Sequence, residues 1–197
     1  GGSGFNTVSY ANAPAGVTVR LEFQDAQDGT GSVDHLTNIQ GIIGPNFASS
    51  LSGDENANLI VGGLGNDTVA GLGGADTLTG GGGADEFRVT GTGDGALLSG
   101  NAASTTANAA HITDFVSGID HFLFDASAFS SSAPLVVIGG SYDGTNSGVA
   151  SGAAFIKDGA GNLSYDSNVA AAGYTVVANI GANTPIAHSD LHFGSTS

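Results

Sequence analysis

Large apolar residues recur at a spacing of nine through the middle of the chain, at Leu51, Ile60, Val69, Leu78 and Phe87. The positions between them are mostly glycine and small polar residues. A spacing of nine does not follow the stripe of an amphipathic helix, and glycine disfavours helices in any case. The pattern predicts strands of about three residues, with the large apolar residue pointing inward, separated by turns of about six residues.

The turns carry a second signal, because an acidic or amide residue precedes most of these apolar residues by two positions. The repeat that begins at Gly62 reads GGLGNDTVA and fits the form G-G-x-G-x-D-x-U-x, where U is a large apolar residue. The register is kept at Gly53, Gly71 and Gly80, whereas the repeat at Gly44 keeps only its apolar residue. Residues 1–9 are an isolated earlier copy.

Two such repeats make one full coil, so turns eighteen residues apart stack on the same edge. Stacked strands lie about 4.8 Å apart, and two bare carboxylates roughly 5 Å apart repel by about 3 kcal/mol at an effective dielectric near 20. A hard divalent cation with oxygen ligands removes this repulsion, which favours calcium over zinc or copper. The alternative is a glycine-rich roll whose aspartates are simply solvated.

Composition narrows the possible functions. The chain has 3 Lys and Arg against 18 Asp and Glu, which gives a formal charge of −15. This charge argues against binding to nucleic acid and against docking on an anionic bilayer. The chain has no cysteine, and its densest apolar run, Leu135 to Ile138, is far shorter than a membrane span. No H-E-x-x-H, G-x-S-x-G or P-loop motif is present. We therefore expect neither an enzyme nor membrane insertion. Because the chain opens in the middle of a repeat, we expect any catalytic domain to lie outside it.

The flanks of the repeats are less regular. Residues 17–23 alternate like a strand with one buried face, 25–32 are polar and turn-like, and 39–43 are apolar again. We interpret residues 10–43 as wider coils of the same roll that carry an outward loop. Residues 95–110 predict a loop of small residues, and later strand-like runs cover 122–124, 135–138, 153–156 and 174–178.

These repeats resemble the RTX family, which includes the C-terminal roll of serralysin-type metalloproteases and the R-modules of mannuronan epimerases. The resemblance is specific from Gly53 to Asp94 and looser to the C-terminus. It implies an all-β fold, a right-handed parallel β-roll of calcium-binding nonapeptides followed by a β-sandwich-like C-terminal cap. We assign residues 1–94 to the roll, with regular nonapeptides over 44–94, and residues 95–197 to the cap.

In this family each ion lies between turns eighteen residues apart and is held by turn carbonyls and sixth-position aspartates. The resemblance implies a first ion held by Asp67 and Asp85 with the carbonyls of Gly63, Gly65, Gly80 and Gly82. It implies a second held by Asn58 and Asp76 with the carbonyls of Asp54, Asn56, Gly71 and Gly73. It implies a third held by Asp76 and Asp94 with the carbonyls of Leu72 and Gly74. A fourth would have Ser49 where an aspartate is expected.

The segment Ile112-Thr113-Asp114-Phe115-Val116-Ser117-Gly118-Ile119-Asp120 is similar to the I-x-D-F-x-x-G-x-D segment that follows the repeats in serralysin-type domains. Asp114 and Asp120 are thus candidates for a last calcium site, with solvated turn aspartates as the alternative. The family's aspartate before this segment is replaced by Ala110. His188 and His192 are expected on one strand face, as surface histidines or a transition-metal pair, and His35, His111 and His121 are expected to be isolated.

The resemblance implies a secreted bacterial protein, extracellular or at the cell surface, that folds outside the cell on binding Ca²⁺. It also implies an uncleaved C-terminal signal for the type I secretion machinery. Three alternatives stay open: a surface-adhesion or S-layer-like module that calcium bridges to itself or to cell-surface glycan, a calcium-dependent polysaccharide-binding module, and the tail of a secreted hydrolase.

Overall fold

The chain forms two β-sheets and one short 3₁₀ helix in a computed structural model that describes residues 1–90, 96–98, 109–140, 142, 152–167 and 174–195. Within these residues no helix is long and apolar enough to cross a bilayer. The strands are β1 Thr7–Ser9, β2 Thr18–Arg20, β3 Asp25–Gln27, β4 Val33–His35, β5 Gly41–Ile43, β6 Ser50–Ser52, β7 Leu59–Gly63, β8 Thr68–Ala70, β9 Thr77–Gly81, β10 Glu86–Val89, β11 Ala96–Leu98, β12 Ala110–Ile112, β13 His121–Asp125, β14 Leu135–Val137, β15 Ala154–Lys157, β16 Asn162–Asp166, β17 Tyr174–Asn179 and β18 Leu191–Gly194; the 3₁₀ helix is His188–Asp190.

Successive repeats alternate between the two sheets, as expected for a coil of two nonapeptides. Sheet 1 contains β1, β5, β7, β9 and β12 side by side, and sheet 2 contains β2, β6, β8, β10 and β13. Neighbours within these two runs are parallel, and Ile60 is level with Leu78 in sheet 1 as Leu51 is with Val69 in sheet 2. The all-β fold with parallel-rich sheets, which the family resemblance implies, is confirmed.

The core lies between the two sheets and is built from the apolar residue of each repeat. The five residues predicted to point inward are all buried, with exposed fractions of 3 % or less. Phe115 and Phe122 continue the core, their rings stacked 5.1 Å apart between centroids. Burial of large apolar side chains contributes about 1.5–3 kcal/mol each, so this inner row is a main source of the roll's stability.

The N-terminal region departs from the simple coil through an inserted hairpin. Strands β3 and β4 pair antiparallel with β2 and with each other, and they form one edge of sheet 2. The expected strand over residues 17–23 ends at Arg20, and the side chain of Phe23 is exposed. The expectation that residues 25–32 are all turn was also wrong, because Asp25–Gln27 pairs with β2.

The C-terminal strands add to both sheets. In sheet 1, β17 pairs parallel with β12, and β16 and β15 follow in antiparallel order. In sheet 2, β18 pairs parallel with β13. Phe155, Leu163 and Leu191 belong to the same apolar core as the repeats. The division of the chain at residue 94 stays a prediction, as does the sandwich-like character of the cap.

Three local expectations in this region were wrong. Residues 95–110 were expected to be a loop, but Ala96–Leu98 is a strand that pairs antiparallel with β17, and β12 begins at Ala110. His188 and His192 do not share a strand face, because His188 lies in the 3₁₀ helix and His192 lies in β18. His121 is not isolated, since its ring centroid lies 4.3 Å from that of His192.

Candidate metal centre

The turns between strands stack in two columns, one along each edge of the roll. We name the columns by the residue that occupies the sixth position of each turn, or its equivalent in strand register. Edge A consists of Ser49, Asp67, Asp85 and Asp120. Edge B consists of Asn6, Gln40, Asn58, Asp76 and Ala110.

Oxygen atoms of two coils converge at the first glycine of the repeats that begin at Gly53 and Gly62. A Cβ atom on Gly62 would lie 2.4 Å from the carbonyl oxygen of Gly80 and 2.5 Å from Oδ2 of Asp67. Gly81, in the second position, has φ +105°, and a Cβ atom there would lie 1.9 Å from the carbonyl oxygen of Gly63. Only glycine allows this approach, and it crowds carbonyl and carboxylate oxygens together as a hard cation requires.

The aspartates of edge A form a hydrogen-bonded ladder from one coil to the next. Oδ1 of Asp67 accepts from the backbone N–H of Ser49 at 2.8 Å, and Oδ1 of Asp85 accepts from the N–H of Asp67 at 2.8 Å. Oδ1 of Asp120 accepts from the N–H of Asp85 at 3.0 Å. Each carboxylate therefore ties its own turn to the preceding coil, and all three carboxylates are buried.

The second carboxylate oxygen of Asp67 is the clearest sign that this turn suits a bound cation. Oδ2 of Asp67 is buried and has no hydrogen-bond donor. Burial raises the pKa of Asp67 from its ordinary value of 3.8 to about 7; the hydrogen bond from Ser49 opposes this rise and the charge of Asp85 adds to it. A buried carboxylate oxygen without donor or cation is costly. The residues present thus fit a bound calcium ion at this turn.

The pKa of Asp85 is also raised, first by burial and then by neighbouring carboxylates. Burial raises the pKa of Asp85, against the hydrogen bond from the Asp67 backbone, and the charges of Asp120 and Asp114 add to the rise. Asp114 accepts from the backbone N–H groups of Gly80 and Gly81 at 3.0 and 2.7 Å. Acidic charge therefore accumulates where the last repeat meets the segment 112–120, which increases the electrostatic demand for a cation.

Edge B is built differently, because only one of its five residues is acidic. Oδ1 of Asp76 accepts from the N–H of Asn58 at 2.9 Å, which repeats the geometry of edge A. On the other side of Asp76, β12 pairs with β9 so that Ala110 is level with Asp76. The neighbour of Asp76 in that direction therefore offers no side-chain oxygen.

The remaining predicted ligands are placed as follows. Asp94 lies outside the described residues, so its role as a ligand of the third ion stays a prediction. Among the described strands, β12 lies beside β9 on the side away from β7. The ions assigned to Asn58 with Asp76 and to Asp67 with Asp85 also stay predictions. The carbonyl groups proposed as ligands lie on both edges, in the turns or, for Gly63 and Gly80, in the last residues of β7 and β9. Edge A has those of Gly63, Gly65, Gly80 and Gly82, and edge B has those of Asp54, Asn56, Gly71, Leu72, Gly73 and Gly74.

Side chains alone do not make a metal centre here. Among the described residues, no three histidine or acidic side chains are placed to hold one ion. The sites must therefore depend on backbone carbonyls, as the glycine content of the turns suggests. His121 lies 3.2 Å from Glu86, which also pairs with Arg88 at 2.7 Å, so these residues form a surface charge cluster.

Sequence reasoning missed the role of Asp190. Its carboxylate is buried and accepts from the hydroxyl of Ser117 at 2.5 Å and the N–H of Gly118 at 3.1 Å. Asp190 thus fastens the C-terminal segment to the turn that ends in Asp120. Asp190 lies outside the regular spacing of the repeats. The one indication of its role in the sequence is the apolar strand that follows it, as one follows Asp120.

Comparison with known families agrees with the geometry of the turns. A scan against protein-family models matches residues 52–87 to the RTX calcium-binding nonapeptide repeat, in four copies. The matched residues span the turns that end in Asn58, Asp67, Asp76 and Asp85. A search of curated proteins finds no match to the chain.

Proposed function

Because the chain carries RTX calcium-binding nonapeptide repeats over residues 52–87, we propose that it is the part of a secreted bacterial protein that folds outside the cell when calcium binds. The observation that carries this proposal is Oδ2 of Asp67, buried between stacked turns without a donor. The proposal extends to a type I secretion signal in the C-terminal region, which rests on the family resemblance.

The residues that would hold the first ion are those on edge A. Asp67 and Asp85 supply carboxylates, and the carbonyls of Gly63 and Gly80 lie close to the glycines of the neighbouring coil. When bound, calcium supplies the positive charge that offsets the burial of these carboxylates. The ladder of N–H donors already occupies Oδ1 of Asp67 and Oδ1 of Asp85.

Binding and folding are coupled, because these oxygens converge only in the stacked coil. A calcium concentration of about 100 times the dissociation constant adds about 2.7 kcal/mol of stability for each site. A domain of this size is stabilised by only about 5–15 kcal/mol. Two or three sites are therefore enough to decide whether this acidic chain is folded. Low cytosolic calcium leaves the chain loose enough for export, and extracellular calcium allows it to fold.

The test is far-UV circular dichroism across a calcium titration that starts in excess chelator. We expect a rise in β signal with a midpoint that shifts to higher calcium in Asp67→Ala and Asp85→Ala. Asp28→Ala is the control, since Asp28 is a half-buried acceptor in the loop between β3 and β4, outside the repeats. A spectrum that is already β-rich in chelator and unchanged by calcium would refute coupled folding, and unshifted midpoints would remove both aspartates as ligands.

A second candidate function is polysaccharide binding, and one surface favours it. A shallow groove of 660 Å³ runs over the outer face of sheet 2 and is lined by Arg20, Phe23, Ser50, Thr68 and Arg88 among others. The guanidinium of Arg20 lies 5.1 Å from the centre of the exposed Phe23 ring. Aromatic, cationic and hydroxyl groups along an open groove suit a sugar chain. An oligosaccharide array probed with and without calcium, compared with Phe23→Ala, tests this candidate; binding that Phe23→Ala leaves unchanged would exclude the groove.

A further inference from the structure

The two edges of the roll satisfy their buried side chains in different ways. On edge A, Asp67 offers two oxygens and finds one donor, the N–H of Ser49. On edge B, Asn58 occupies the equivalent position of its own turn and both its polar atoms are used. Its Oδ1 accepts from the N–H of Asp54 at 2.8 Å, and its Nδ2 donates to the carbonyl oxygen of Gln40 at 3.3 Å.

The side-chain amide of Asn6 also hydrogen-bonds to carbonyl groups, here within its own turn. Its Nδ2 donates to the carbonyl oxygens of Gly2 and Gly4, at 3.0 and 3.1 Å. These are the second and fourth residues of the repeat, the positions equivalent to Gly63 and Gly65, whose carbonyls are predicted ligands in the Asp67 turn. In the Asn6 turn, an amide N–H₂ group therefore contacts the carbonyls that a cation would otherwise contact.

Gln40 continues this arrangement between the two asparagines. Its side-chain Oε1 accepts from the N–H of Asn6 at 3.0 Å, which is the ladder bond that a carboxylate makes on edge A. Its Nε2 donates to Oδ1 of Asn38 at 2.9 Å. Three successive coils of edge B thus carry a neutral amide in the position where edge A carries aspartates at Asp67 and Asp85.

The chemistry of the two groups explains the difference. A carboxylate only accepts, so the carbonyls of its turn cannot pair with it, whereas an amide donates to carbonyls and accepts from N–H groups at once. A neutral amide also adds no repulsion between stacked coils.

We propose that Asn6 and Asn58 take the place of the cation in their turns, so that the first three coils of edge B are joined by amide hydrogen bonds and calcium is bound where aspartates face each other on edge A. This inference rests on the proposed calcium binding; it replaces the predicted ion between Asn58 and Asp76 by amide hydrogen bonds and leaves the ions of the N-terminal coils on edge A.

Counting bound ions by native mass spectrometry in calcium tests the inference. Asn58→Asp should bind one ion more than the wild-type chain, because it creates a second carboxylate opposite Asp76. Asn183→Asp is the matched control: it adds the same charge at an exposed position away from the turns and should bind the wild-type number. Asp67→Asn should bind one ion fewer and still fold, because its amide can close the turn as Asn58 does.

The outcomes separate the inference from the proposed function. An Asn58→Asp chain that gains no ion over a calcium-binding wild type would overturn the inference alone. If Asn58→Asp does not fold, Asp67→Asn decides, and a full wild-type count in that variant would overturn the inference. A wild-type chain that binds no calcium would overturn both.

Discussion

The calcium-free roll should lose stability as the pH rises, which is opposite to the behaviour of most acidic proteins with paired carboxylates. The reason is Asp67, whose pKa in the folded chain is raised by burial to about 7. A raised pKa means that the folded chain holds the proton more tightly than the unfolded chain does. This stabilisation is present in full below about pH 4 and is lost as the pH rises through about 7.

The size of the effect follows from the same pKa. The difference between 3.8 and about 7 sets an upper limit of about 4 kcal/mol, at about 1.36 kcal/mol for each pH unit, and screening by solvent lowers the actual effect. Between pH 5 and pH 8 the share of this upper limit is about 2–3 kcal/mol, because the unfolded carboxyl is already ionised at pH 5. Burial also raises the pKa of Asp85, which acts in the same direction.

Urea unfolding followed by circular dichroism in excess chelator, at pH 5 and pH 8, measures this difference. The wild-type chain should be more stable at pH 5, and Asp67→Asn should show a smaller change between the two values. With calcium the order should reverse, because protons compete with the ion for the same oxygens. A calcium-free wild type that is as stable at pH 8 as at pH 5, or an Asp67→Asn variant with the same pH dependence, would refute the reasoning.

Three further substitutions test how the roll is held together. Gly81→Ala should cost about 3 kcal/mol or more of unfolding free energy, because a Cβ at positive φ meets the Gly63 carbonyl. Gly82→Ala should cost far less in the same thermal melt, because its Cβ would meet only Leu64, at 3.3 Å from the side chain and 3.8 Å from Cα. Phe122→Ala should lower the free energy of unfolding by about 3–5 kcal/mol in urea, since the ring is fully buried; a loss under about 1 kcal/mol would contradict its place in the core. Asp190→Ala should speed limited proteolysis at residues 116–120, and an unchanged cleavage pattern would show that Asp190 does not fasten this turn.

The repeats made the roll predictable because each one encodes its turn, its strand and its inward residue locally. The register of Leu51 with Val69 and of Ile60 with Leu78 follows from the even spacing alone. The inserted hairpin escaped prediction because Asp25–Gln27 is short and polar and owes its strand to pairing with β2. Phe23 follows the alternation of the residues before it, but the chain turns after Arg20 and leaves the ring outside.

The candidate site was predictable in its residue types and less so in its partners. Spacing identified the aspartates of edge A, but it could not show which oxygen of Asp67 meets a donor and which does not. The regular step of eighteen residues also gave no warning that β12 is the strand beside β9, which brings Ala110 level with Asp76. Asp190 contacts the turn at Gly118 across a separation of 72 residues, and long-range contacts of that kind are not encoded in a local pattern.

The attachment of Asp190 to the turn at Ser117 imposes an order on assembly. Strand β18 covers β13 at the end of sheet 2, and Leu191 completes the apolar core there. Until residues 187–194 have docked on the rest of the molecule, this side of Phe122 is exposed to solvent. The core at this end is complete only when the segment has docked, so its removal should shorten the lifetime of the folded roll.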